Sequence, residues 1–161
     1  MFPRYSKIIN RSFGTHCGTG KTVGFVGLGC MGNPMAVNLI KNGFNVKGYD
    51  VSPEKMTEAR DAGITTVDSI AECVTDCDYV MTALPRTHHV EDALKREGGI
   101  LENIRADTMV CDSSTIDPKS SAGFGAYAAE RGLTFIDTPM SGFTTGAVNG
   151  TLTFMVGGTE A

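Results

Sequence analysis

The sequence predicts an α/β fold built on a doubly wound, mostly parallel sheet. From Thr22 onward, apolar runs of strand length alternate with stretches of helical length, which is the pattern that βαβ units produce. These apolar runs are continuous rather than alternating, as in strands that are buried on both faces. A chain of 161 residues, of which 41% are hydrophobic and 20% charged, suits one domain with a sizeable core.

Local signals place each element. Strands are expected at Thr22–Gly27, Asn45–Asp50, Tyr79–Ala83, Thr108–Asp112, Thr134–Asp137 and Thr151–Val156, with a short one near Ile64–Thr66. Helices are expected at Asn33–Asn42, Pro53–Ala62, Ser69–Val74, Thr87–Glu97 and Pro118–Arg131. Two helices begin with an N-cap residue and a proline, at Ser52-Pro53 and Asp117-Pro118. Three glycines stand where a helix C-terminus needs a left-handed residue, at Gly43, Gly63 and Gly132.

The charge distribution bears on the class of ligand. The net charge is −4, but residues 1–21 carry four basic residues and no acid, so residues 22–161 carry a net charge of −8. An acidic body lacks the clustered Lys and Arg side chains that nucleic-acid binding needs. No apolar run reaches the roughly 18 residues of a membrane span. The sequence therefore predicts no nucleic-acid partner and no membrane partner, and it favours a small-molecule ligand.

The five cysteines are scattered and form no CxxC pair. This usage is typical of reduced thiols in an intracellular compartment. Cys73 and Cys77 would lie one turn apart on a helix, but no second pair of ligands has matching spacing. We therefore predict no metal site.

Residues 1–21 are expected to be a mitochondrial transit peptide. They contain basic and hydroxyl residues without acids, and apolar side chains recur at steps of three and four at Phe2, Tyr5, Ile9 and Phe13. This amphipathic pattern is typical of transit peptides. The alternative is a disordered extension, or upstream sequence mistaken for coding. A secretory signal is disfavoured, because its apolar segment runs to about 7–15 residues and none here is that long.

The first predicted strand runs into a GxGxxG motif that opens the first helix: Gly27-Leu28-Gly29-Cys30-Met31-Gly32. In this context Gly27 allows a tight turn, Gly29 lets the backbone approach a pyrophosphate, and Gly32 lets helix and strand pack closely. The phosphates would meet free N–H groups at the helix N-terminus. The motif predicts a Rossmann-type dinucleotide-binding domain over residues 22–161.

Asp50 ends the second predicted strand, about 20 residues after the glycines, where such domains place an acid that binds the ribose hydroxyls. A carboxylate would repel a 2′-phosphate, and no arginine follows before Arg60. The predicted cofactor is therefore NAD rather than NADP. The alternative role for Asp50, capping the next helix, is one that Ser52 already fills.

Four blocks of sequence, in order and covering nearly the whole body, resemble the β-hydroxyacid dehydrogenases, the family of 6-phosphogluconate dehydrogenase. Within that family the resemblance is strongest to the 3-hydroxyisobutyrate dehydrogenases. The blocks are GFVGLGCMGNPMAVNLIKNG, TALP at Thr82–Pro85, DSSTIDP at Asp112–Pro118, and DTPMSG at Asp137–Gly142 with NGTLTFMVGG after it.

The resemblance implies roles for individual residues. Leu84 and Pro85 would line the cofactor cleft, and Thr115 would contact the nicotinamide side. Ser141 and Gly142 would offer a hydroxyl and a backbone N–H to the carboxylate of a substrate. From the sequence pattern alone, the same positions read as a strand end, a helix-entry turn and an ordinary loop.

Two positions depart from the family pattern. The family usually carries a second glycine after the Ser-Gly pair, where this chain has Phe143, and a side chain there would crowd the substrate carboxylate. His89 stands where the 3-hydroxyisobutyrate dehydrogenases usually carry an asparagine that helps to hold the cofactor.

The activity that the resemblance implies is hydride transfer from a small 3-hydroxy acid to NAD in the mitochondrial matrix, in valine breakdown, by a homodimer or larger assembly. The family's general acid/base is a lysine, expected beyond Ala161 together with an all-helical domain, so we assign no catalytic residue within this chain. The alternatives are a non-catalytic dinucleotide-binding module, a related reductase of tartronate semialdehyde or glyoxylate, and a cytoplasmic location.

Overall fold

The structure, a computed structural model, describes residues 20–158. The predicted transit peptide lies outside the described residues, apart from its last two positions. The strands are β1 (Thr22–Val26), β2 (Asn45–Tyr49), β3 (Thr65–Thr66), β4 (Tyr79–Thr82), β5 (Met109–Asp112), β6 (Thr134–Asp137), β7 (Met140–Ser141) and β8 (Thr153–Phe154). The helices are α1 (Gly32–Lys41), α2 (Pro53–Asp61), α3 (Ile70–Val74), α4 (Thr87–Lys95), α5 (Ile100–Asn103), α6 (Pro118–Ala129) and α7 (Phe143–Asn149).

Six strands form one parallel sheet in the order β3-β2-β1-β4-β5-β6. This is the strand order of dinucleotide-binding folds, in which the chain direction across the sheet reverses between β1 and β4. Ligands bind in the crevice beyond the carboxyl ends of the strands at that reversal. The predicted doubly wound α/β fold is confirmed, and within residues 20–158 no helix combines the length and apolar character needed to cross a bilayer.

The helix ends follow the capping signals in the sequence. The Ser52 hydroxyl accepts a hydrogen bond from the Lys55 N–H, and the Asp117 carboxylate accepts one from Ser120. The residues that follow α1, α2 and α6 adopt positive φ angles at Gly43 (85°), Gly63 (91°) and Gly132 (69°). These caps confirm the predicted starts and ends to within two residues.

The core has two layers because successive side chains of a strand point to opposite faces of the sheet. Phe25 packs with α1 and α2 on one face, and Val26 packs with α3 to α6 on the other. Cys73 and Cys77 are fully buried in this second layer. Burial raises the pKa of Cys73 to about 12, so its thiol stays protonated and serves as packing.

One predicted strand of the sheet is wrong. Thr151–Val156 was expected as a strand buried on both faces, but only Thr153–Phe154 is extended, and it pairs antiparallel with Met140–Ser141 in a separate ribbon. Leu152 packs against the core, but the three apolar side chains that follow are exposed, by 41% at Phe154, 46% at Met155 and 61% at Val156. An apolar run therefore did not imply burial here, because the segment crosses beyond the edge of the sheet.

Two short helices, α5 and α7, were not predicted. For α7 a signal existed, since Gly150 (φ 68°) ends the helix in the left-handed conformation. Its first residue, Phe143, is 86% exposed and also left-handed, with φ 53°. A side chain in this conformation costs about 1–2 kcal/mol because its Cβ approaches the following carbonyl oxygen.

We therefore expect Phe143→Gly to be more stable than Phe143→Ala by about 1 kcal/mol, because only glycine removes the Cβ atom. Both variants lose the exposed ring, so their difference isolates the backbone effect. Urea unfolding of the two variants measures it. Equal midpoints would contradict the assigned strain.

Candidate functional site

A cleft of about 520 Å³ opens at the carboxyl edge of the sheet, where β1 and β4 part. Its volume lies within the range of small-molecule sites, roughly 300–1,000 Å³. The turns after β1, β2, β4 and β5 all contribute to its walls. The predicted cofactor residues among its lining are Gly27, Gly29, Cys30, Met31, Asp50, Leu84, Pro85 and Thr115.

The three glycines of the loop differ in what surrounds them. Gly27 has φ 96°, and a Cβ atom there would lie 2.6 Å from the Ala83 carbonyl oxygen. A Cβ atom on Gly32 would collide with the Gly27 carbonyl oxygen. A Cβ atom on Gly29 would meet no atom of the protein within 4 Å. Gly27 and Gly32 are thus required by the fold itself, whereas Gly29 keeps open a space that a ligand can enter.

The N-terminus of α1 fits an anion. Its N-cap residue, Met31, makes no side-chain capping bond, and the first turn contains no acid. By contrast, α2 and α6 begin with a capping oxygen from Ser52 and Asp117. Within the first turn the Asn33 N–H donates to the Gly29 carbonyl at 3.1 Å and Pro34 has no N–H, so the Gly32 N–H and the partial positive charge of the helix remain for a bound phosphate.

Asp50 contacts the loop directly. One carboxylate oxygen accepts the Leu28 N–H at 2.7 Å, and the other accepts the Ser52 N–H at 2.9 Å. Each oxygen keeps a second lone pair that can accept a ribose hydroxyl. The Leu28 side chain is fully buried in the core, so this predicted site residue contributes its backbone and not its side chain to the site.

One wall of the cleft was not predicted as a unit. The face of α4 that carries His89, Asp92 and Ala93 borders the cleft, together with Arg96 directly after the helix. Their helical spacing shows that they share a face, but nothing in the sequence says that this face meets the cleft. His89, noted only as a departure from the family pattern, is thus a lining residue.

The predicted substrate residues lie at the rim. Met140 lines the cleft, while the next two residues, Ser141 on β7 and Gly142, are exposed and outside its lining. Phe143 is also outside the lining. The structure therefore brings most of the predicted cofactor residues together around one cleft, while Ser141 and Gly142 lie outside its lining.

A buried acid lies beneath the cleft at the end of β5. Asp112 is fully buried, and its Oδ1 atom accepts hydrogen bonds from the Thr82 hydroxyl at 2.6 Å and from the Ser114 N–H at 3.0 Å. Its Oδ2 atom has no hydrogen-bond partner among the described residues. Burial raises the pKa of Asp112, and it also raises the pKa of Asp137, its neighbour on β6, with repulsion from Asp112 adding to the effect.

The raised pKa of Asp112 makes a testable prediction about stability. Folding favours the neutral acid, so the stability from this group is present below its ordinary pKa of 3.8 and is lost as the pH rises through the raised value. The side chain in Asp112→Asn cannot ionise. The melting temperature of this variant relative to the wild type should therefore increase from about pH 4 to about pH 8.

Asp117→Asn is the matched control with the opposite sign. Hydrogen bonds from Ser120 lower the pKa of Asp117, so this acid stabilises the fold above pH 3.8 and ceases to do so in acid. The melting temperature of Asp117→Asn relative to the wild type should fall as the pH rises. Parallel trends in the two variants would rule out the assigned direction for Asp112.

Comparisons with known proteins agree with this geometry. A family described as the NAD binding domain of 6-phosphogluconate dehydrogenase matches residues 22–161. Over 138 residues the chain is 43% identical to the mitochondrial 3-hydroxyisobutyrate dehydrogenase of Homo sapiens, covering 86% of this chain and 41% of that protein. Over 138 residues it is 42% identical to the NAD-dependent L-serine dehydrogenase of Pseudomonas aeruginosa, covering 86% and 46%.

A solved structure of Mycobacterium tuberculosis 3-hydroxyisobutyrate dehydrogenase with L-serine superposes with a TM-score of 0.83 at 37% identity, covering 87% of this chain and 47% of that one. The chain thus spans less than half the length of each of these relatives. The match to residues 22–161, the strand order and the glycine loop lead to one conclusion: the chain belongs to the family of 6-phosphogluconate dehydrogenase-type NAD-binding domains.

Proposed function

We propose that this chain is the NAD-binding part of a dehydrogenase that oxidises a small 3-hydroxy acid of the 3-hydroxyisobutyrate type. The observation that carries the proposal is the cleft at the β1–β4 reversal, which has an uncapped helix N-terminus at one side and the Asp50 carboxylate at another. The names of the relatives support the reaction class.

In this proposal each part of the cleft holds one part of the cofactor. The pyrophosphate lies over Gly29 at the N-terminus of α1, next to Cys30 and Met31. The Asp50 carboxylate accepts hydrogen bonds from the ribose hydroxyls. Leu84 and Pro85 form the wall that covers the cofactor, and Thr115 lies on the nicotinamide side. When bound, the nicotinamide accepts a hydride from the hydroxyl-bearing carbon of the substrate.

The charges near Asp50 favour NAD over NADP. The Asp50 carboxylate would repel a 2′-phosphate, and the next residue, Val51, is an exposed apolar side chain that offers it no hydrogen bond. Lys55 also borders the cleft, but its Nζ lies 2.7 Å and 2.8 Å from the two Glu58 oxygens. A relative named as NAD-dependent supports the same preference.

The substrate would bind beside Met140. Ser141 and Gly142, the two residues that follow it, would bind the substrate carboxylate through a hydroxyl and a backbone N–H. A 3-hydroxyisobutyrate dehydrogenase solved with L-serine, itself a small 3-hydroxy acid, supports this substrate class. The proton of the substrate hydroxyl is not assigned to any residue of this chain.

We also propose that residues 1–21 direct the protein to mitochondria. Their basic, acid-free, amphipathic sequence supports this location. A relative whose name places it in mitochondria supports it as well.

The cofactor preference can be tested by titration. NADH emission can be followed directly, because protein side chains do not absorb at the wavelength that excites the reduced nicotinamide. We expect the wild-type chain to bind NADH at least about tenfold more tightly than NADPH, which corresponds to about 1.4 kcal/mol. Asp50→Asn should narrow that ratio because it removes the charge that repels the 2′-phosphate.

Asp61→Asn, which removes an exposed charge at the far end of α2, should leave the ratio unchanged. Tighter binding of NADPH than of NADH by the wild type would overturn the proposed preference. Binding of neither nucleotide would overturn the proposed function.

Alanine substitutions at Gly29 and Gly32 should affect different properties, NADH affinity at Gly29 and stability at Gly32. We expect Gly29→Ala to keep the melting temperature, since its methyl group meets no protein atom, and to weaken NADH binding at least about tenfold. Gly32→Ala should lower the free energy of unfolding by about 2 kcal/mol, because its methyl group overlaps a backbone oxygen.

Gly123→Ala is the control, since a methyl group there also meets open space but lies on α6, away from the cleft. It should leave NADH binding unchanged, and it should raise the free energy of unfolding by about 0.5–1 kcal/mol because alanine favours a helix interior over glycine. A Gly29→Ala chain that binds NADH as the wild type does would show that the pyrophosphate does not lie over Gly29.

A further inference from the structure

Two adjacent serines follow β5, and both are buried: Ser113 is 0% exposed and Ser114 is 2% exposed. Their hydroxyl groups bond to different neighbours. The Ser114 hydroxyl accepts the Leu84 N–H at 2.9 Å, whereas the Ser113 hydroxyl lies 3.0 Å from the Thr138 hydroxyl. Leu84 belongs to the turn after β4 and Thr138 to the turn after β6, so the pair contacts both neighbouring turns.

The backbone around the pair is fixed by the sheet. The Ser113 N–H donates to the Thr82 carbonyl at 2.8 Å, and the Thr138 N–H donates to the Asp112 carbonyl at 2.7 Å, which extends the strand pairing by one residue on each side. The Asp112 carboxylate holds the Ser114 N–H. Beyond this point the two serine hydroxyls connect the turns.

The two turns serve different parts of the cleft. The turn after β4 carries Leu84 and Pro85, which line the cleft. The segment after β6 carries Met140 and leads to Ser141 and Gly142. Without its serine, the Leu84 N–H would lose the partner that holds the turn against β5.

We propose that the two serines are positioning residues with separate tasks: Ser114 holds the cofactor-binding turn at Leu84, and Ser113 holds the segment 138–142 that leads to the substrate. Both residues also border the cleft, and the role proposed for each is to hold its segment in place rather than to take part in the chemistry. The inference rests on the proposed function, since it assumes that NAD binds against Leu84 and Pro85.

Isosteric pairs test this division in the full chain. Threonine and valine have the same shape, so Ser114→Thr and Ser114→Val add the same methyl group and differ by the hydroxyl alone. We expect Ser114→Val to bind NADH roughly three- to tenfold more weakly than Ser114→Thr, as the loss of one buried hydrogen bond predicts. The corresponding pair at Ser113 should differ less in NADH affinity.

Amide hydrogen exchange supplies the second measurement. Exchange at Leu84 should be faster in Ser114→Val than in Ser114→Thr, and exchange at Met140 and Ser141 should be faster in Ser113→Val than in Ser113→Thr. Thr108→Val is the control, because it removes an equally buried hydroxyl, bonded to the Cys77 carbonyl at 2.7 Å, from the opposite end of β5. It should change neither the NADH affinity nor exchange in the two turns.

The outcomes are distinguishable. The proposal would be overturned if the two Ser114 variants bound NADH equally well. It would also be overturned if the valine variants at Ser113, Ser114 and Thr108 all lost the same amount of NADH affinity. If the wild-type chain does not bind NADH, the proposed function fails, and hydrogen exchange still decides whether each serine holds its own turn. If either valine variant speeds amide hydrogen exchange in both turns, the two serines do not have separate tasks.

Discussion

The close approach of α1 to the turn after β1 is the constraint on which the site depends. Gly32 and the Gly27 carbonyl are too near each other for any Cβ atom on Gly32, so the helix starts directly against the strand. This contact aims the N-terminus of α1 at the end of the sheet where β1 and β4 part. The position of this helix N-terminus, where we propose that the pyrophosphate binds, thus follows from packing between two pieces of backbone.

Asp50 shows how a residue that we propose to bind the ribose can also maintain the structure of the cleft. Its carboxylate accepts the Leu28 N–H and so joins the end of β2 to the glycine loop of β1. Strong hydrogen bonds from backbone N–H groups hold a carboxylate in one orientation before any ligand arrives. The same group that would select the ribose is therefore already immobilised by the loop that would hold the phosphates.

The sequence was a good guide where local chemistry determines structure. The strands of the main sheet, the capped helices and the position of the glycine loop and Asp50 at one cleft could be predicted because each leaves a short-range pattern. The ribbon at Thr153–Phe154 could not, since an apolar run does not show whether another layer covers it. The hydrogen bonds of the buried Asp112 and the contribution of α4 to the cleft wall were also not predicted, because both depend on which elements become neighbours.

The antiparallel bridge between Asp137 and Gly157 changes how the outer strand of the sheet meets its surroundings. β6 is the last strand, and a free edge of unpaired N–H and C=O groups invites another chain to add a strand. The two bonds of this bridge, 2.8 Å and 2.9 Å long, satisfy the edge at Asp137, beside the cleft. Among the described residues, this bridge occupies the edge at Asp137, so any further strand could pair with β6 only through the residues before Asp137.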